Sequence, residues 1–233
     1  MACCRTPDQA DQLHAFRNSL PNPSRINVLP LDLKDQSSIE ALGTRIREMY
    51  SRIDVLLNVA GLLGNGKTTP GPERSITKID RDWFDMTMSI NVIGPVMLTK
   101  ELVPLLSQRR GQRRQGQDEM DRPVALVANL SARVGSISDN GLGGWYSYRI
   151  SKAALNQATR TMALELNRQS VWCVALHPGT TDTDLSKPFQ ANVKKESLFP
   201  VDFTVDQLLK VIDCVHTDHS GGFYDWAGKA ISF

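Results

Sequence analysis

Helical stretches alternating with short apolar runs over 233 residues predict an α/β fold: a mostly parallel sheet with helices on both faces. Three observations carry that expectation. The runs at 53–61, 124–130 and 171–176 are apolar throughout rather than alternating, as strands covered on both faces must be. The segments between them space their apolar residues as helices do. Polar or glycine breaks close the strands at the same end: Asp32, Asn58-Val59-Ala60-Gly61, Ser131 and Pro178-Gly179-Thr180. Ligands of such sheets bind at the carboxyl ends of the strands, so that edge is the expected site.

In order, small and apolar residues run into Arg5 as the end of a strand, and Pro7 opens a helical stretch to about Leu20. Asn22-Pro23-Ser24 punctuates it. A short strand at 26–33 ends in the Asp32 carboxylate. Residues 37–51 place Ile39, Leu42, Ile46 and Met49 on one helical face. A loop rich in glycine and proline (63–72) follows the strand at 53–61, and a helix runs from about Arg81 through Asn91 to Ser107. Residues 109–122 are polar, highly charged and aperiodic, a solvated loop in which Asp118, Glu119 and Asp121 balance the arginines. The strand at 124–130 carries a match to the glycosylation sequon at Asn129, expected to go unused at the end of a core strand. A long helix runs to about Arg168, and His177-Pro178-Gly179 stops the strand at 171–176. Thr204-Val205-Asp206-Gln207 has capping-box spacing ahead of a helix at 208–215, and 222–233 reads as a last short strand.

Hydrophobic residues make up 41% and charged residues 22%, which suits one large domain over 1–233. A net charge of +2 gives no electrostatic case for a nucleic-acid partner. Cys3, Cys4, Cys173 and Cys214 have neither zinc-site spacing nor disulfide-scaffold density, which predicts a reducing, cytoplasmic setting. No metal site is expected, since His216 and His219 lack further ligand types nearby. No apolar run reads as a membrane span and no signal peptide is read at Met1.

The chemistry centres on Tyr148-Arg149-Ile150-Ser151-Lys152. Residues four apart share a helix face, and an ammonium beside a phenol favours the phenolate. A tyrosine so tuned exchanges a proton with a substrate oxygen. The pair alone is a weak signal; its weight comes from the breaks at the sheet edge.

Taken together, Asp32, Asn58-Val59-Ala60-Gly61, Asn91 in Ile-Asn-Val-Ile-Gly-Pro, Tyr148 with Lys152, and Pro178-Gly179-Thr180-Thr181-Asp182-Thr183 resemble the short-chain dehydrogenase/reductase family, in particular its carbonyl-reductase-like or C-factor-like branch. The resemblance implies a Rossmann-like three-layer fold, with Tyr148 as general acid in hydride transfer from a nicotinamide. It implies that Lys152 tunes Tyr148 and holds the nicotinamide ribose, and that Asn91 keeps a water in a proton relay. Asp32 and Leu33 would meet the adenine, and Asn58, Ala60 and Gly61 would pass beside the adenosine ribose. Pro178, Gly179, Thr181 and Thr183 would line the nicotinamide amide and phosphates. Arg5 is placed for a 2′-phosphate, which favours NADP over NAD. The substrate would be a small carbonyl or alcohol, with no nucleic-acid or membrane partner, for a monomer or homodimer. Trp145, Leu142 and Phe189 would wall its pocket, and 186–200 would be the substrate loop.

Two departures stand out. The family usually has Ser-Ser where this chain has Ser131-Ala132, leaving Ser131 or Ser136 as the candidate donor to the substrate carbonyl. The family also begins with a strand and a glycine-rich turn that holds the pyrophosphate, and this chain starts after it, so an N-terminally truncated sheet with unpaired strand edges between Arg5 and Asn58 is expected. Those departures supply the alternative of a catalytically silent binding or regulatory protein. A weaker alternative is an RNA or acidic-partner binder through the arginines at 109–114.

Overall fold

A computed structural model describes residues 1–64, 66–107 and 123–233. The loop expected at 109–122 lies outside the described residues. The elements are β1 (Ala2–Cys4), α1 (Asp11–Ser19), β2 (Val28–Pro30), α2 (Gln36–Met49), β3 (Val55–Asn58), α3 (Arg81–Met88), α4 (Gly94–Leu106), β4 (Ala125–Leu130), α5 (Tyr146–Leu166), β5 (Val171–His177), β6 (Thr180–Thr181), β7 (Leu198–Phe199), α6 (Val201–Asp213) and β8 (Phe223–Asp225). A π-helical turn, Ser89–Ile93, joins α3 to α4 without a break.

The strands run parallel, β1 with β2 and β3-β4-β5-β8 in a second sheet, with β6 and β7 forming a small third pair. Alternate residues of β4 face opposite layers. Ala125 and Val127 pack with Leu98, Leu102, Leu106 of α4 and Ile39, Leu42, Ile46 of α2. Leu126 and Ala128 face Leu208, Val211 and Ile212 of α6. This is the expected three-layer α/β architecture. Asp35 caps α2 through the Ser37 amide and Asp80 caps α3 through the Trp83 amide, so both helices start on a side-chain acceptor.

Two local expectations fail. Thr204 does not open a helix: α6 begins at Val201 behind Pro200, and the Thr204 hydroxyl is buried against that of Thr181 instead. Tertiary burial overrides the capping pattern there. The helical run Arg81–Leu106 also has the length and mean hydropathy (1.3) of a membrane span, contrary to the sequence reading; in this fold it packs against the sheet, with 44% of its most apolar window buried.

Among the described residues β3 has a strand partner only on the β4 side, and neither β1 nor β2 pairs with it. Val55, Leu57 and Val59 are consequently 45%, 46% and 60% exposed. A cavity lined by Val55, Leu126, Ile212 and Val215 continues that strip toward the end of α6. Open parallel edges beside apolar surface favour self-association. Leu57→Lys is therefore expected to lower light scattering and dye binding by the concentrated protein, while changing stability by no more than ~0.5 kcal/mol in urea titrations.

Candidate active site

The site is assembled where β4 ends against α5. Lys152, Asn156 and Thr159 fall on one face of α5 and are all buried. Each is tied to one of three consecutive residues of β4 and its exit. Lys152 Nζ donates to the Leu130 carbonyl (2.8 Å), Ser131 Oγ donates to Asn156 Oδ1 (2.6 Å), and Asn129 Nδ2 donates to Thr159 Oγ1 (2.8 Å). Asn58 extends the series across the sheet, its Nδ2 donating to Asn129 Oδ1 (2.8 Å). Buried polar groups require partners, and these satisfy one another. Asn129, wholly buried, is not a glycosylation acceptor in this fold.

Tyr148 lies one turn before Lys152, whose Nζ is 5.7 Å from the phenol ring centroid. Burial pushes the Tyr148 phenol up to about 12 and the Lys152 amine down to about 8. The sequence predicts a lowered phenol; here desolvation by burial moves both groups the other way, and the amine faces the ring. Asn91 sits in the π-helical turn, a frequent device at functional sites. Its Oδ1 accepts the Leu62 amide (2.6 Å), and its Nδ2 donates to the Leu62 carbonyl and to Ser151 Oγ (3.0 Å each). Asn91 thus fastens the loop after β3 to α5. A Cβ at Gly61 would lie 3.6 Å from Lys152 Nζ and 3.8 Å from Asn91 Oδ1, so Gly61 borders both.

Both candidate serines have hydrogen-bond partners within the protein. Ser131 gives its proton to Asn156, and Ser136 gives its own to the Ser232 carbonyl. With their protons committed, neither offers a free donor to a substrate oxygen, and Ala132 has no hydroxyl to give.

Of the residues assigned to the adenine end, Asp32 Oδ1 accepts the Lys34 amide (2.9 Å) and Leu33 packs against Gly94 at the start of α4. Arg5 follows β1 directly, is exposed, and has no hydrogen-bond or ion-pair partner among the described residues. Register pairs Cys4 with Pro30, so Arg5 and Asp32 lie at the exits of neighbouring strands. Asn58 turns its carboxamide into the core, whereas Ala60 and Gly61 are exposed.

Beyond β5, Gly179 has φ 74°, and a Cβ would come within 2.7 Å of Phe199 and 2.9 Å of Trp226; only glycine fits. Pro178 precedes it, the Thr181 hydroxyl meets Thr204 (3.0 Å), and the Thr183 amide donates to Ser186 Oγ (3.2 Å). His177 is half-buried and pushed down to about 4, chiefly by desolvation and then by Arg133, so it is a neutral packing residue. Trp145 stands 4.9 Å from Phe189 and edge-on to Tyr148 at 6.3 Å, an aromatic cluster beside the phenol. Leu142 is 94% exposed and takes no part in it. Trp145 also adopts a left-handed backbone (φ 55°), a conformation that costs a non-glycine residue ~1–2 kcal/mol and persists only where its surroundings hold it.

Sequence reading missed two residues at this site. Asn156 was concealed as one polar residue of a polar-looking helix. Glu73, 74 positions before the Ser147 amide it accepts (3.1 Å), leaves no local sequence signal.

The short chain dehydrogenase family model matches residues 1–194. The C-signal protein of Myxococcus xanthus is 35% identical over 181 residues, covering 77% of this chain and 92% of that protein. The 1-hydroxy-2-glutathionyl-2-methyl-3-butene dehydrogenase of Rhodococcus sp. (strain AD45) is 32% identical over 199 residues, covering 85% and 76%. Among solved structures, NADPH-bound carbonyl reductase from chicken fatty liver superposes with a TM-score of 0.81 at 28% identity, over 100% of this chain and 86% of that one. Carbonyl reductase Sniffer of D. melanogaster gives 0.83 at 28% identity, over 99% and 86%. With Tyr148, Lys152 and Asn91 gathered at the strand exits and most of its length matched, the chain belongs to the short-chain dehydrogenase/reductase family of oxidoreductases.

Proposed function

We propose that this chain is an NADP-dependent reductase of small carbonyl compounds, running in reverse on the alcohols, with Tyr148 as general acid and base. The observation that carries the reading is the convergence of Tyr148, Lys152, Asn91 and Gly61 at the end of β4. Two carbonyl reductases superpose on the chain, one of them described as NADPH-bound, which supports the choice of chemistry and cofactor.

The residues present fit the two ends of a dinucleotide. Arg5 has a free guanidinium for a 2′-phosphate, with Asp32 and Leu33 beside the adenine and Ala60 and Gly61 beside the adenosine ribose. Gly61 leaves the space next to Lys152 that a Cβ would fill. At the other end Lys152 would hold the nicotinamide ribose, and Pro178, Gly179, Thr181 and Thr183 would border the nicotinamide. The bound cofactor supplies the hydride. Tyr148 keeps its proton at neutral pH and passes it to the carbonyl oxygen as negative charge develops there. Charged Lys152 stabilises the phenolate left behind. Since its amine titrates near 8, that help is lost as pH rises through this value.

A catalytically silent binding protein is the second reading. It is favoured by Ala132 and by the committed hydroxyls of Ser131 and Ser136.

Titration with NADPH, followed by cofactor fluorescence, is expected to saturate, and Arg5→Ala to weaken NADPH by ~10-fold while leaving NADH unchanged. Failure to bind either nucleotide overturns the reading. Aldehyde or quinone reduction is expected to fall ~10²–10⁴-fold in Tyr148→Phe and, in the wild type, to decline above about pH 8; turnover indifferent to Tyr148→Phe favours another mechanism.

The same amine sets a stability window. Its value is about 8 folded against 10.5 in the unfolded chain, so between these the unfolded chain binds more protons and stability rises with pH. Tyr148 acts oppositely above 10, where the folded chain keeps a proton that the unfolded chain loses. Lys152→Met is expected to flatten the rise, worth about 3 kcal/mol between pH 8 and 10.5 in urea titrations.

A further inference from the structure

Tyr148 is the third residue of α5, so its place depends on a helix end rather than on the helix body. The first amides of a helix have no intrahelical acceptors. This helix has no local means of satisfying them: its N-cap is Trp145, which makes no side-chain capping bond. Gly143 and Gly144, both at positive φ, lead into Trp145, itself left-handed.

The cap comes from the segment between β3 and α3. Glu73 Oε2 accepts the Ser147 amide at 3.1 Å, and the Glu73 carbonyl accepts the Trp145 amide at 2.5 Å. The side chain is 4% exposed, and its Oε1 has no partner among the described residues. A carboxylate buried with so few hydrogen bonds is an expensive way to fill space. Its position at the positive end of a helix dipole accounts for its presence there. Helical side chains lean toward the N-terminus, so the Tyr148 ring lies over the turn that Glu73 closes. Trp145, whose indole is edge-on to Tyr148, is held at its main-chain amide by the same carbonyl.

We propose that Glu73 is a positioning residue for Tyr148, a helix cap contributed across 74 positions that fixes the first turn of α5 and, through it, the phenol. The proposal rests on the reading of Tyr148 as proton donor. It is tested on the full chain with NADPH and an aromatic aldehyde, comparing Glu73→Ala, Glu73→Gln and Tyr148→Phe with wild type. Glu73→Ala is expected to lower kcat by ~10- to 100-fold while KM values stay within about twofold. Glu73→Gln, whose amide oxygen accepts the same Ser147 amide, is expected to keep kcat within about threefold of wild type. Amide hydrogen exchange over 146–149 should accelerate in Glu73→Ala and stay near wild type in Glu73→Gln. Unchanged exchange in Glu73→Ala overturns the proposal. So does faster exchange with undiminished kcat, or an equal loss of kcat in both variants. Should wild type and Tyr148→Phe turn over alike, the proton-donor reading fails separately, and the exchange pattern alone decides whether Glu73 holds the turn.

Discussion

A buried ammionium that has no carboxylate partner among the described residues organises this molecule. Lys152 is 3% exposed, and its charge is met by the Leu130 carbonyl and the face of Tyr148. Such a group is tolerable only where its surroundings are fixed, because any loosening exposes an unpaired charge to an apolar interior. The fixing is done next door. Asn129 and Ser131, on either side of Leu130, hold Thr159 and Asn156 of the same helix face. Three successive residues of one strand exit are thereby matched to one stripe of α5, and sliding or turning the helix breaks all three bonds together.

That arrangement redistributes roles among the polar residues that carry the resemblance. Asn58 would pass beside a ribose by analogy, yet its carboxamide joins the buried chain through Asn129, so it supports the site from beneath. Asn91 spends its carboxamide on Leu62 and Ser151, which makes it the clasp between the β3 exit and α5. Around the β1 and β3 exits, Ala60, Gly61 and the Arg5 guanidinium stay exposed.

The sheet was legible because continuous apolar runs at 124–130 and 171–176 leave little choice but buried parallel strands, and the Tyr148–Lys152 face followed from helical spacing alone. What the sequence withheld has a common physical origin in long-range burial. The upward shift of the Tyr148 phenol depends on how deeply the ring is enclosed, which no spacing reveals. Thr204 carried a plausible start signal, but the packing of α6 on the sheet moved the helix start to Val201. Leu142 lay at the right distance in sequence to line the pocket and points to solvent after two left-handed glycines intervene. Glu73 meets α5 only through the fold.

The missing serine donor raises the demand on what is left. A hydroxyl polarising the substrate carbonyl is typically worth ~10²–10³ in rate, and the Ser131 and Ser136 protons are directed into the protein. In the proposed reaction, with that contribution absent, charge developing on the substrate oxygen would be met by the Tyr148 phenol, which would make turnover more sensitive to small displacements of that ring. The ring sits on a helix turn preceded by a strained Trp145 and capped from a distant loop. On the proposed reading, precision at Tyr148 would be borrowed from Glu73 and from the Trp145–Phe189 contact. A site with fewer donors must hold the remaining one more tightly, and the geometry of the α5 entrance is what that requirement looks like in this chain.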